Sequence, residues 1–162
     1  MTLERTLDRA YYQSDEIFAG EKEHIFFAEW FCVGREEEIP EAGDFVVKRV
    51  AGESILVVRT REGGLAAHYN VCRHRGSQLV SDCDKGHFAG GIRCPYHSWT
   101  YALDGALRTA PFLEEGEGLA RGDLALHPVG VDSWGGFLFL SLTPAGAAGR
   151  GHTLASQLGA VP

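Results

Sequence analysis

The chain reads as a mostly-β protein, a small antiparallel sandwich or barrel with an N-terminal helix. Three observations predict this. Glycine supplies 21 of 162 residues, about twice the usual ~7%, as a chain with many turns requires. Short runs rich in Val, Ile and Phe recur along it, bounded by Gly, Pro, Asp or Ser. Helix-period patterning is confined to the part before Trp30.

Ser14-Asp15-Glu16 is a helix start, a capping residue followed by acids in the first turn. Ile17, Phe18, His24, Ile25, Phe26 and Phe27 then form an apolar stripe to about Trp30, with Gly20 a weak point inside it. Phe31–Arg35, Phe45–Val50, Ile55–Thr60 and Leu65–Val71 read as strands. Glu41–Asp44, Ala51-Gly52 and Arg61–Gly64 separate them, the last as a hairpin turn. Ile92–Cys94 and Trp99–Leu103 are two more strands, followed by a tight turn at Asp104-Gly105. Leu124–Val131 and Phe137–Leu142 form the final pair, joined by Asp132–Gly136. From Pro144 to Gly151 the composition is that of a linker, and Thr153–Leu158 starts a helix. The expected organisation is a helical segment with the first strand over 1–35, the main domain over 36–143, and over 144–162 a linker leading into a further domain.

Fifteen Lys and Arg face 22 Asp and Glu, a net charge of −7. Binding to nucleic acid or to an anionic membrane needs the opposite balance, so neither partner is expected. The longest apolar stretches, such as Gly136–Leu140, are far short of the ~20 residues of a membrane span. MTLERTLDR has no apolar core after its charges, so a signal peptide is not expected and a cytoplasmic location is.

Cysteines stand at positions 32, 72, 83 and 94. Two of them have a histidine at ligand spacing: Cys72-Arg73-His74 and Cys94-Pro95-Tyr96-His97. Each pair offers one thiolate and one imidazole from a tight loop at the end of a strand. A Rieske [2Fe–2S] centre takes two Cys on one iron and two His on the other, and two such loops supply that set. The same four residues could close a structural zinc site. Zinc fingers, however, keep like ligands together, whereas each half here is mixed.

Asn70-Val71-Cys72-Arg73-His74-Arg75-Gly76 and Cys94-Pro95-Tyr96-His97-Ser98-Trp99-Thr100-Tyr101, followed by Asp104-Gly105, resemble the Rieske domain of ring-hydroxylating oxygenase large (α) subunits. The helix ending at Trp30, the Gly43-Asp44-Phe45 turn and Trp134-Gly135-Gly136-Phe137 resemble other parts of the same domain. The resemblance implies that Cys72 and Cys94 ligate the inner iron of a [2Fe–2S] cluster and His74 and His97 the outer, reducible one. It implies electrons arriving from a reductase or ferredoxin and leaving, by the edge of His97, for a mononuclear Fe(II) in a catalytic domain. That iron often belongs to a neighbouring subunit of a homo-oligomer, commonly a trimer. The parent activity would be an O₂- and NAD(P)H-dependent oxidoreductase reaction, dioxygenation or monooxygenation of a small molecule. A stand-alone Rieske ferredoxin is the alternative, although such carriers are usually shorter and lack the N-terminal helix.

Three departures matter. Respiratory Rieske proteins clamp their ligand loops with two further cysteines, whose places here hold Ser77 and Tyr96. Family members commonly carry Gly after the second histidine, where this chain has Ser98, whose hydroxyl either hydrogen-bonds a sulfur or faces solvent. After His97 only His127 and His152 remain, without the spacing of a two-His-one-carboxylate iron site, so no catalytic residue is assigned.

Other residues take plainer readings. Cys83, between Asp82 and Asp84, is an ordinary free thiol. Cys32 is a buried small hydrophobe. His24, His68, His87, His127 and His152 are solvated or hydrogen-bonded. Arg73 and Arg75 either pin the first ligand loop or dock an acidic redox partner. Trp99 and Tyr101 form the apolar floor of the second loop, and Pro111–Gly118, with Glu114, Glu115 and Glu117, is a solvated loop.

Overall fold

The structure, a computed structural model, describes residues 5–81, 84–113, 120–143 and 152–161. It opens with two short helices, α1 (Ala10–Gln13) and α2 (Asp15–Glu21). Ser14 caps α2: its Oγ accepts from the Ile17 N–H at 3.3 Å, and Asp15 and Glu16 fill the first turn. The α-helix does not run on to Trp30. From Lys22 to Phe26 it widens into a π turn, which rotates the apolar stripe. Phe18 and Ile25 are left exposed, while Phe26 stacks on Phe31 at 5.2 Å.

The strands are β1 (Phe31–Arg35), β2 (Asp44–Val50), β3 (Glu53–Arg59), β4 (Leu65–Tyr69), β5 (Lys85–His87), β6 (Ile92–Arg93), β7 (Thr100–Tyr101), β8 (Leu107–Thr109), β9 (Pro128–Trp134) and β10 (Phe137–Ser141). A seven-stranded sheet runs β1-β10-β9-β4-β3-β2-β5, and a three-stranded sheet runs β6-β7-β8. The pairings within both are antiparallel, as the alternating runs and turns predict.

Three segments differ from the expected strands. β5 is exposed and nearly free of apolar residues; it is recruited by pairing with the edge of β2. β8 is the return limb of the Asp104-Gly105 turn. Leu124–His127 is not strand: a 3-10 turn spans Arg121–Leu124, and the Leu126 N–H bonds Gly105 O at 2.9 Å. β9 starts at Pro128 and runs on to Trp134, so its hairpin with β10 closes through Gly135-Gly136 alone, both at positive φ.

β2 and β3 bury both faces. Phe45, Val47, Leu56 and Val58 join Cys72, Cys94, Trp99, Tyr101 and Leu103 in one core. Val46, Ile55 and Val57 join Ile39, Ala67, Val129, Leu138 and Leu140 in a second. The hairpin is therefore a wall, with the two Cys/His loops on one side of it and β9–β10 on the other. Its turn, Ala51-Gly52, has both residues at positive φ (53° and 95°).

Cys32 is exposed, contrary to expectation. β1 is an edge strand paired only with β10, and the face carrying Cys32 is not covered. The final described segment packs back on Trp30. Trp30 N–H donates to Gln157 Oε1 at 2.8 Å, Gln157 Nε2 returns a bond to Trp30 O at 3.0 Å, and Trp30 Nε1 donates to His152 O at 2.8 Å. Leu154, in α3 (Leu154–Leu158), is buried there. The expected linker lies outside the described residues, and among those described no helix is long and apolar enough to cross a membrane.

Candidate metal centre

The two Cys/His loops share one backbone frame. In the first, which follows β4, the Cys72 N–H donates to Ser77 O at 2.8 Å and the Gly76 N–H to Cys72 O at 3.1 Å. In the second, between β6 and β7, the Cys94 N–H donates to Trp99 O at 2.8 Å and the Ser98 N–H to Cys94 O at 3.1 Å. In each, the residue four past the cysteine is left-handed, Gly76 at φ 69° and Ser98 at 59°. Glycine takes that conformation without strain and serine does not. Each loop thus aims its cysteine into the core while its histidine stays near the surface.

Cys72 and Cys94 are each 2% exposed and lie in the same core. The half-buried His74 and His97 rings sit 4.8 Å apart, inclined at 66°. Trp99 stacks beneath His74 at 4.7 Å and 6°, and Tyr96 lies against His97 at 3.7 Å. The Nδ1 atoms of both histidines are buried and have no hydrogen-bond partner. A buried, unpaired imidazole nitrogen is costly unless something else fills it. Burial, helped by the neighbouring His97 and Arg75, holds the His74 imidazole below its ordinary pKa, so it presents a lone pair.

Burial pushes the Cys72 thiol up, and a hydrogen bond from Tyr101 opposes that. The Tyr101 hydroxyl lies 3.2 Å from Cys72 Sγ and accepts the Arg73 N–H at 3.1 Å. Its own pKa is raised, first by burial and then by Cys72, so it remains a protonated donor. Sequence reasoning placed Tyr101 in the floor but missed this role. The signal was a hydroxyl at the end of an inward-facing ring two residues past Trp99. Of the two readings of Ser98, neither a sulfur bond nor a free hydroxyl is what the structure has: its Oγ accepts from Arg93 Nη2 at 2.8 Å.

Arg73 pins the first loop, bonding His127 Nε2 and, at 3.0 Å, Asp123 O, while Arg75 is exposed. His68 is buried and bonds Leu103 O through Nε2 at 3.2 Å; His87 bonds Asp44 and His152 bonds Gln157, both at 2.9 Å. Cys83 and residues 114–118 of the acidic loop lie outside the described residues.

Among the described residues no group of three or more His, Cys, Asp or Glu side chains is arranged around one metal ion. Each iron of a Rieske cluster takes two protein ligands, two Cys on one and two His on the other, whereas zinc fingers keep like ligands together. Two adjoining thiols beside two free imidazole nitrogens in an antiparallel β fold define an iron–sulfur protein of the Rieske class.

The family model of the Rieske [2Fe-2S] domain matches residues 29–129, and the chain belongs to that family, whose cofactor is a [2Fe–2S] cluster. It is 36% identical over 137 residues to the carnitine monooxygenase oxygenase subunit of Acinetobacter baumannii, an alignment covering 85% of this chain and 36% of that protein. It is 42% identical over 139 residues to the glycine betaine monooxygenase oxygenase subunit of Chromohalobacter salexigens, covering 86% and 31%. The fold superimposes on the apo form of the quaternary ammonium Rieske monooxygenase CntA with TM-score 0.86 and 33% identity, over 95% of this chain and 43% of that one. The chain thus spans about a third of the length of the curated relatives it matches.

Proposed function

We propose that Cys72 and Cys94 ligate one iron of the [2Fe–2S] cluster and His74 and His97 the other. In this reading the domain relays single electrons from a reductase or ferredoxin to a mononuclear Fe(II) in the catalytic part of a parent oxygenase. The observation that carries it is the convergence of two buried thiols with two buried, unpartnered Nδ1 atoms. When bound, the cluster supplies a one-electron redox centre. The chain's own residues do the rest. Cys72 and Cys94 present sulfur from a dry core, and Tyr101 holds a proton against Cys72. His74 and His97 stand half-buried at the surface, which makes the edge of His97 a short route out of the core.

The similarity to carnitine and glycine betaine monooxygenase subunits supports a small quaternary amine, rather than an aromatic ring, as the parent's substrate class. The same relatives support an oligomeric parent, a trimer on the family pattern. The division into 1–35, 36–143 and 144–162 stands as part of this proposal. Anaerobically purified protein should hold two iron and two acid-labile sulfide per chain and give a Rieske-type EPR signal on reduction. One zinc and no sulfide would overturn the reading.

A further inference from the structure

The two ligand loops share their frame but not the residue at its strained corner, and the second loop carries extra hydrogen bonds where the first carries glycine. Ser98 is one of three non-glycine residues at positive φ among those described. Such a residue persists only where its surroundings over-determine it. Here every polar group of Ser98 is held. Its N–H bonds Cys94 O, its Oγ accepts from Arg93 Nη2 at 2.8 Å, and its carbonyl accepts from Thr100 Oγ1 at 3.1 Å. Arg93 is the last residue of β6 and pairs with Thr100 of β7. The three residues therefore tie both stems of the loop across Cys94–His97.

We infer that Arg93, through Ser98, is a positioning residue for His97: a non-covalent clamp on the second ligand loop. The inference rests on the ligand assignment proposed above. Glycine at position 98 needs no such support, because it takes the left-handed conformation freely. Arg93 should therefore matter only while Ser98 is present, which a general stabilising role would not require.

The test compares wild type, R93A, S98G and R93A/S98G, each purified anaerobically with its cluster. The readouts are the bleaching rate of the visible chromophore under an iron chelator and the width of the reduced EPR signal. Arg93→Ala should bleach about tenfold faster, the scale of one charge-assisted hydrogen bond, with a broadened signal from a less uniform His97. S98G should stay within about twofold of wild type, and R93A/S98G should return to that level. An R93A protein matching wild type would overturn the clamp, as would a double variant bleaching as fast as R93A. If R93A does not fold, recovery in the double variant supports the clamp and its absence overturns it. A wild-type protein without a Rieske spectrum would overturn the ligand assignment itself, and the clamp with it.

Discussion

The Tyr101 hydroxyl sits 3.2 Å from the sulfur of Cys72, in the core that holds both cysteines. Tyr101 is fully buried, so water cannot replace it as donor. A hydrogen bond to a ligating sulfur stabilises the more electron-rich, reduced form. Tyr101→Phe should lower the midpoint potential. A differential effect of about 1 kcal/mol corresponds to roughly 40 mV for one electron. Protein-film voltammetry measures it, and an unchanged potential would show that the hydroxyl does not donate to that sulfur.

The potential itself should lie in the lower half of the Rieske range of roughly −150 to +300 mV. The chain carries a net charge of −7, which favours the oxidised form, and Ser77 and Tyr96 leave no disulfide between the loops. The midpoint should fall as pH rises through the histidine pKa values, since the reduced form holds imidazole protons more tightly. A midpoint above about +150 mV, or one flat between about pH 6 and 10, would contradict this.

His68 is 2% exposed, and burial holds its pKa below the ordinary value despite the opposing bond to Leu103 O. Above the unfolded value of ~6.5 both folded and unfolded forms are neutral, and the residue adds no pH dependence. Below it the unfolded chain takes up a proton that the folded one resists, so stability falls as the solution is acidified, by up to about 1.4 kcal/mol per pH unit. In chemical denaturation between pH 7.5 and 5.5, His68→Phe should show a shallower loss than wild type. Parallel curves would mean that His68 is protonated in place.

Gln157 joins the last described segment to Trp30 by two bonds, at 2.8 and 3.0 Å. Both are exposed, so Gln157→Ala should cost only about 1 kcal/mol of global stability. Limited proteolysis should nevertheless cut near Thr153 severalfold faster, because that contact is local. Equal cleavage rates would show that buried Leu154 and the contacts of His152 hold the segment without Gln157.

The legible part of the molecule was the part with strong local signals. Phe31–Arg35, Phe45–Val50 and Leu65–Val71, which ends at Tyr69 in the structure, announced themselves by composition, and the two Cys/His pairs by spacing. What stayed hidden depended on partners distant in sequence. Lys85–His87 becomes a strand only because β2 offers an edge. Cys32 alternates like a buried residue, and only the edge position of β1 exposes it. Ser98 and Tyr101 both carried hydroxyls beside the ligands. Which one reached sulfur was set by backbone handedness at position 98 and by the inward face of β7, and neither is written in residue type.

The double burial of β2 and β3 leaves a problem of addressing. Where one face of a strand is polar, a slip of one residue buries the wrong side chains and is rejected. In Phe45–Val47 and Ile55–Val58 both faces are apolar, so a slipped pairing would exchange one greasy face for another. Hydrophobic pattern cannot tell the two alignments apart. The choice falls to the two-residue Ala51-Gly52 turn, which brings Val50 opposite Glu53 and counts the rest of the pairing from there. The wall behind both ligand loops is therefore indexed by a message two letters long. One of those letters, Ala51, is spelled against its own backbone preference.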